Sequence, residues 1–365
     1  MLIAADPASR QAHGAGPRVR LVPVFASPAY QIDYVPAPQP AAPLVVTFTE
    51  RTHRSLAGLG FAGKFAVDNG FALLAFKSNV DRWYQDLPDA ALTAAERFLA
   101  ALPVPPARRA GYGSSMGAYA AVAFSGRLSL DDVLAISPQV DITQPWDTRW
   151  ADEAAAIGAM RAIDAAMIRP GCRYVIAYDP LDQDRLHYEH IARLVAPGRL
   201  VALRVPAFGH PAGYFLQQSG VLKTVARAVL AGAPLPAVGP ALRGARRGNA
   251  GYLFTLAGLC MDRGKLRAAR ALAGQTLALA PLEAEYNIRA AQIAERLGHA
   301  DEALARAAVA AAIWPFNGHI LAVLARILAG TGHPRQAAFY LRAALAGDPG
   351  NTVFRDMLDA AEAQG

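Results

Sequence analysis

Three residue types needed for nucleophilic catalysis stand far apart in the chain, in the order serine, aspartate, histidine. The serine lies in Gly113-Ser114-Ser115-Met116-Gly117, a G-x-S-x-G pattern inside Gly111 to Ala120. Small residues on either side of Ser115 let two backbone segments pass closely at a sharp strand-to-helix turn. Such a turn lifts the hydroxyl into the open and aims free helix N–H groups beside it. A hydroxyl is a weak nucleophile until a base takes its proton and a third group orients that base. Of the eight histidines, His210 has the most suitable setting, in the turn-rich loop Val205 to Gly213 after an apolar β-branched run. His53 is a lesser rival. His187 and His190, three apart on one helix, read as solvated positions rather than as a metal pair.

The acid comes from Tyr178-Asp-Pro-Leu-Asp-Gln-Asp184, which offers three carboxylates. Asp182 is the preferred orienter of His210, because the acid must reach slightly beyond the end of its strand. Asp179 is the alternative, and Asp184 reads as the N-cap of the following helix.

The elements that would position these groups alternate along the chain. Strands are expected at Arg18 to Phe25, Tyr30 to Val35, Leu44 to Thr49, Phe71 to Phe76, 107–112, Asp132 to Ile136, Arg173 to Tyr178 and Arg199 to Val205. Helices are expected at Phe61 to Asn69, Pro88 to Ala101, after Ser115, Ala151 to Ile168, Arg185 to Val195 and Gly220 to Leu230. Alternation of this kind predicts an α/β fold with a mostly parallel, doubly wound sheet covered on both faces. Ligands then bind at the carboxyl ends of the strands, where Ser115, Asp179, Asp182 and His210 all fall.

Beyond about residue 232 the pattern changes. Gly264, Gly298 and Gly332 recur every 34 residues, as do Pro281, Pro315 and Pro349, and Ala269, Ala303 and Ala337. The glycine closes a turn between two helices, the alanine lets them approach, and the proline stops the second. The expected organisation is a flexible tail over 1–17, a sheet domain over 18–231, a Pro/Gly-rich linker over 232–249, and repeats over 250–365. The repeats are placed at 250–283, 284–317 and 318–351, with a capping helix at 352–363. Cys260 reads as a packing residue on a first helix.

Two resemblances follow from these motifs. The elbow at Ser115, the Ser–Asp–His order and the Gly209-His210 loop resemble the α/β-hydrolase superfamily over residues 18 to 230. The 34-residue period resembles tetratricopeptide repeats, with Leu256 and Leu324 at the leucine position and Ala290 departing from it. The first implies a serine esterase acting through an acyl-Ser115 intermediate. It also implies oxyanion-hole N–H groups from Met116 and from Thr49 or Glu50; the family's frequent His-Gly motif is absent there. The substrate pocket is expected to include Ser114, Asn79, Trp83, Tyr84 and Gln139. Transfer of the acyl group to a glycan or other hydroxyl is the alternative, and a non-catalytic, repeat-based interaction protein is the second. The repeat resemblance implies a concave groove for a protein partner, lined by Phe254, Ile288, Gln292, Arg296 and Arg326.

Composition narrows the classes. Hydrophobic content of 53% and charged content of 18% describe a packed globular chain rather than a disordered one. The net charge of +7 comes from scattered residues, so nucleic-acid binding is not expected. Cys172 and Cys260, the two cysteines, provide neither a disulfide framework nor a zinc site. Neither metal nor cofactor is expected. Arg227 and prolines interrupt the apolar stretch 224–242, so no membrane span is expected, and the cytoplasm is the default location.

Overall fold

The computed structural model describes residues 19–51 and 53–365, and the predicted tail over 1–17 lies outside them. The described residues form two compact units, one ending at Leu242 and the other starting at Arg243.

The first unit is built on a sheet of eight strands among the described residues: β1 Val22–Ala26, β2 Tyr30–Val35, β3 Leu44–Phe48, β4 Ala72–Ser78, β5 Arg109–Ser114, β6 Asp132–Ile136, β7 Arg173–Tyr178 and β8 Leu200–Arg204. Their order is β1-β2-β4-β3-β5-β6-β7-β8. The β1–β2 and β2–β4 pairs are antiparallel, and every other pair is parallel. The central strands are apolar on both faces because helices cover both. Leu44, Val46 and Phe48 of β3 join Leu74 and Phe76 of β4 in one cluster. The alternate residue Leu73 lies against α1 (Gly63–Asp68), where a Cβ on Gly63 would stand 3.1 Å from it.

The connecting helices are α2 Asp89–Ala100, α3 Met116–Ala123, α4 Ala151–Ile157, α5 Asp184–Leu194, α6 Gly213–Gln218 and α7 Val221–Leu230. The expected helix over 151–168 stops at Ile157, where Gly158 takes φ 75°. A 3₁₀ turn, Thr148–Trp150, precedes it. A further helix, α8 Gly239–Arg246, occupies part of the stretch read as a linker.

The second unit contains helix pairs. These are α9 Ala250–Asp262 with α10 Leu266–Leu279, α11 Ala284–Arg296 with α12 Ala300–Ile313, and α13 Gly318–Gly330 with α14 Pro334–Gly347, followed by α15 Thr352–Ala363. The periodic residues do distinct work. Gly264, Gly298 and Gly332 adopt φ 69°, 77° and 82° in the turn inside each pair, a conformation costly for a residue with a Cβ. Ala269, Ala303 and Ala337 are all 0% exposed where the paired helices approach. Each proline stands two residues past the end of a second helix.

Candidate active site

Ser115 sits between β5 and α3 with φ 51° and ψ −120°, a strained backbone held by its surroundings. The turn fits only without side chains nearby. A Cβ on Gly113 would stand 2.2 Å from the carbonyl oxygen of Gly117, and one on Gly117 would stand 2.4 Å from that of Phe48. Ser115 N–H donates to the Ile136 carbonyl at 2.8 Å, tying the elbow to β6.

His210 follows β8 and comes over the serine, with Nε2 2.9 Å from Ser115 Oγ. Its Nδ1 lies 3.0 and 3.1 Å from the two carboxylate oxygens of Asp184. Burial pushes the Asp184 carboxyl up. The His210 ring, its hydrogen bond and the Arg149 guanidinium outweigh burial and hold it below the ordinary carboxylate value.

The preference for Asp182 is therefore corrected. Asp182 Oδ1 accepts from the backbone N–H of Asp184 at 3.2 Å and from Arg149 at 2.7 Å, so it shapes the start of α5. Its carboxyl is raised by burial and by the neighbouring charge of Asp184. Asp179 has a third role. Its Oδ2 accepts from Phe208 N–H at 2.7 Å and Gly209 N–H at 2.8 Å, while Oδ1 accepts from Leu181 N–H at 2.8 Å. It anchors the loop that carries His210.

Gln139 is 0% exposed and lies beneath the serine–histidine pair. Its Oε1 accepts from Trp83 Nε1–H at 3.2 Å, and its Nε2 donates to the Ser137 carbonyl at 3.0 Å. These bonds orient the amide, whose Oε1 is also 3.2 Å from Ser115 Oγ.

Met116 opens α3, so its N–H has no acceptor within the helix. Thr49 cannot be the second oxyanion donor, because its N–H is spent on the Phe76 carbonyl at 3.1 Å. Glu50, the next residue, lines the cleft over Ser115. Burial raises the Glu50 carboxyl, and His53 acts against that rise.

The cleft encloses about 410 Å³ and is bounded by Ser114, Tyr112, Arg51, Trp150, Tyr214 and His210 among others. Four expected pocket residues are not on its walls, fully buried Gln139 among them. Asn79 donates to the Pro28 carbonyl, while Trp83 and Tyr84 are buried, the latter with its hydroxyl on the Thr49 carbonyl. Trp150 instead faces the site, with its ring 5.2 Å from that of His210 and Arg51 standing 5.1 Å over it. His187, expected in solvent, is buried and bonded to Asp147 at 2.9 Å.

In the helical unit, Phe254 is half-buried against Tyr286, with ring centroids 4.9 Å apart. Gln292 is half-buried, and Arg296 and Arg326 are exposed. Arg326 is paired with Glu295 at 2.6 Å. Ile288 is 7% exposed and belongs to the core, so it does not line a groove. Cys260 is half-buried against the α9–α10 cluster. An apolar hollow of about 600 Å³, which no motif in the sequence marks, is bordered by Phe316, Leu321, Leu324, Phe339 and Tyr340.

No protein-family model matches the chain, and no curated protein matches it in sequence. The chain is similar to solved tetratricopeptide proteins over its C-terminal helices. One is the first tetratricopeptide domain of Spaghetti (RPAP3) bound to an HSP90 peptide: 14% identity, 32% of this chain, 93% of that chain, TM-score 0.31. Another is YrrB, described as having an unusual peptide-binding site: 21% identity, 35% of this chain, 71% of that chain, TM-score 0.31. A third is the Yersinia enterocolitica secretion chaperone SycD in complex with a peptide of YopD: 18% identity, 31% of this chain, 91% of that chain, TM-score 0.29. No described helix is long and apolar enough to cross a membrane.

Proposed function

We propose that the sheet unit is a serine-dependent ester hydrolase of the α/β-hydrolase kind. The observation that carries this reading is the unbroken Ser115–His210–Asp184 relay, with successive contacts of 2.9 and 3.0 Å. Ser115 Oγ attacks the ester carbonyl while its proton passes to His210 Nε2. Asp184 holds the Nδ1–H tautomer and stabilises the imidazolium that forms. The N–H groups of Met116 and Glu50 receive the developing oxyanion. His210 then gives its proton to the departing alcohol, leaving acyl-Ser115. Attack by water completes hydrolysis, and attack by another hydroxyl would make the same site an acyltransferase.

A fluorophosphonate probe tests the nucleophile directly. The native chain is expected to be labelled and to hydrolyse p-nitrophenyl acetate. Ser115→Ala should lose labelling and about four to six powers of ten in turnover. A native chain that takes no label, or equal turnover in the variant, overturns the reading.

The helical unit is read as a protein-interaction module of tetratricopeptide type. Support comes from the chain's own 34-residue period and from helix pairs that share it. Arg296→Ala with Arg326→Ala should weaken capture of a peptide partner while leaving p-nitrophenyl acetate turnover unchanged. Unaltered peptide capture would count against this face.

A further inference from the structure

The turn that presents Trp150 to His210 also carries Arg149, whose contacts exceed what packing requires. Its Nε and Nη2 form a fork on Asp147, at 2.8 and 2.9 Å. Its Nη1 reaches Asp184 at 2.9 Å and Asp182 at 2.7 Å. Behind Asp147 stands His187, whose Nδ1 accepts from Val140 N–H at 3.0 Å. That bond leaves His187 Nε2 as the protonated nitrogen, donating to Asp147 at 2.9 Å. A continuous hydrogen-bonded chain thus runs His187, Asp147, Arg149, Asp184, His210, Ser115, with Arg149 and His210 half-buried and the others buried.

We propose that Arg149 is a positioning residue for the relay: its guanidinium, locked by Asp147, fixes the Asp184 carboxylate in line with His210 and tempers the negative charge that His210 feels. The proposal rests on the triad reading, since it assigns the support of that triad. A carboxylate free to rotate would not hold one imidazole tautomer, and a fully unbalanced one would over-stabilise the imidazolium. Arg149 remains a cation. Burial works against its charge, but the carboxylates around it overcome burial. Burial raises the Asp147 carboxyl too, yet the bonds from His187 and Arg149 hold it well below the ordinary value. The other charged groups near His210 are Asp182 from the head of α5, Asp179 beneath its own loop, and Glu50 with the Arg51–Glu153 pair from the cleft.

The test is an NMR titration of the His210 ring in the full chain, with its signals assigned by His210→Gln, alongside the acid limb of kcat/KM on p-nitrophenyl acetate. Arg149→Met should move both midpoints up by about one pH unit, because a cation facing Asp184 is gone. It should also lower kcat about tenfold to a hundredfold through lost orientation. Arg149→Lys keeps the charge without the fork and should move the midpoints up by less. Asp147→Asn leaves Arg149 less neutralised and should move them down. Near-UV circular dichroism establishes that each variant is folded. If Arg149→Met does not fold, the opposite signs expected for Arg149→Lys and Asp147→Asn still decide. Midpoints that stay put in the folded variants, or shift one way in all of them, overturn the proposal. A native chain with no esterase activity would sink the hydrolase reading, while the ring titration would still judge the role of Arg149.

Discussion

At the scale of single residues, three carboxylates lie within six positions and the structure divides the work among them. Asp184 touches His210, Asp182 shapes the start of α5, and Asp179 anchors the histidine loop. Asp184→Asn is expected to lower esterase kcat by about four powers of ten, since an amide can favour the wrong tautomer. Asp182→Asn should cost less than tenfold. The reverse ranking in steady-state kinetics would return the acid to Asp182. Asp147 has a separate signature. Its folded-state carboxyl is depressed, so it contributes stability that is complete above the ordinary aspartate value of about 3.9 and is lost as pH falls below it. Urea midpoints of native protein and Asp147→Asn should therefore differ most at neutral pH, and the gap should shrink progressively as pH falls from about 4 toward the depressed folded-state value. A gap that is constant with pH would mean that the carboxylate charge is not what stabilises. The elbow at Ser115 and the loop that carries His210 were legible in sequence because their settings are unusual: small residues at an elbow, and turn residues after a strand. The carboxylate that meets His210 was not, because one helical residue more or less at the head of α5 decides which one faces it.

At the scale of elements, the elbow is where backbone geometry is most exacting. Gly113 and Gly117 have neighbouring backbone oxygens at 2.2 and 2.4 Å from where a Cβ would stand. Backbone cannot yield as the end of a flexible side chain can. Gly117→Ala should therefore destabilise by about 2–4 kcal/mol and misplace Ser115. Gly171→Ala, at a site with open space around its Cβ position, should change the melting temperature little. Equal melting temperatures for the two variants would show that the elbow tolerates a side chain. Strands β6 and β7 have the bounds their apolar, β-branched runs suggested, since burial on both faces leaves a clear signal. The segment after Gly158 was overread as helix. Its alanines suit a helix, but its actual path is set by distant partners. Arg161 N–H donates to Gln85, Tyr119 donates to the Arg161 carbonyl, and His190 donates to the Ile163 carbonyl. Local propensity does not encode partners some 27 to 76 residues away. The 34-residue period was legible because each repeat uses the same residue for the same geometric task. Asn249, Asn317 and Asn351 cap α9, α13 and α15 at two periods and then one, with Glu283 at the position between.

At the scale of the whole molecule, the candidate site and the repeats occupy different units, so they should separate on cutting. Every residue of the relay and its cleft falls between Glu50 and Leu222, and the boundary between units lies at Leu242. Helix α8 runs through that boundary, so the cut belongs before it, near Ala237. A 1–236 fragment is expected to be soluble and to keep kcat/KM on p-nitrophenyl acetate within about threefold of the full chain, since a small ester needs nothing beyond the cleft. A fragment that aggregates or loses activity would show that the helical unit completes the enzyme. The complementary 243–365 fragment should be helical and melt as one array, because stacked repeats are stabilised by their neighbours. Phe354, Met357, Leu358 and Ala361 of α15 pack on the cluster that holds α13 and α14. Removing 352–365 exposes that apolar face and should cost about 3–5 kcal/mol, from the burial of side chains of this size. Circular dichroism would read the loss as a lower melting temperature. A truncated array that melts with the intact one would mean α15 is an appendage, and that the repeats close their own core without it.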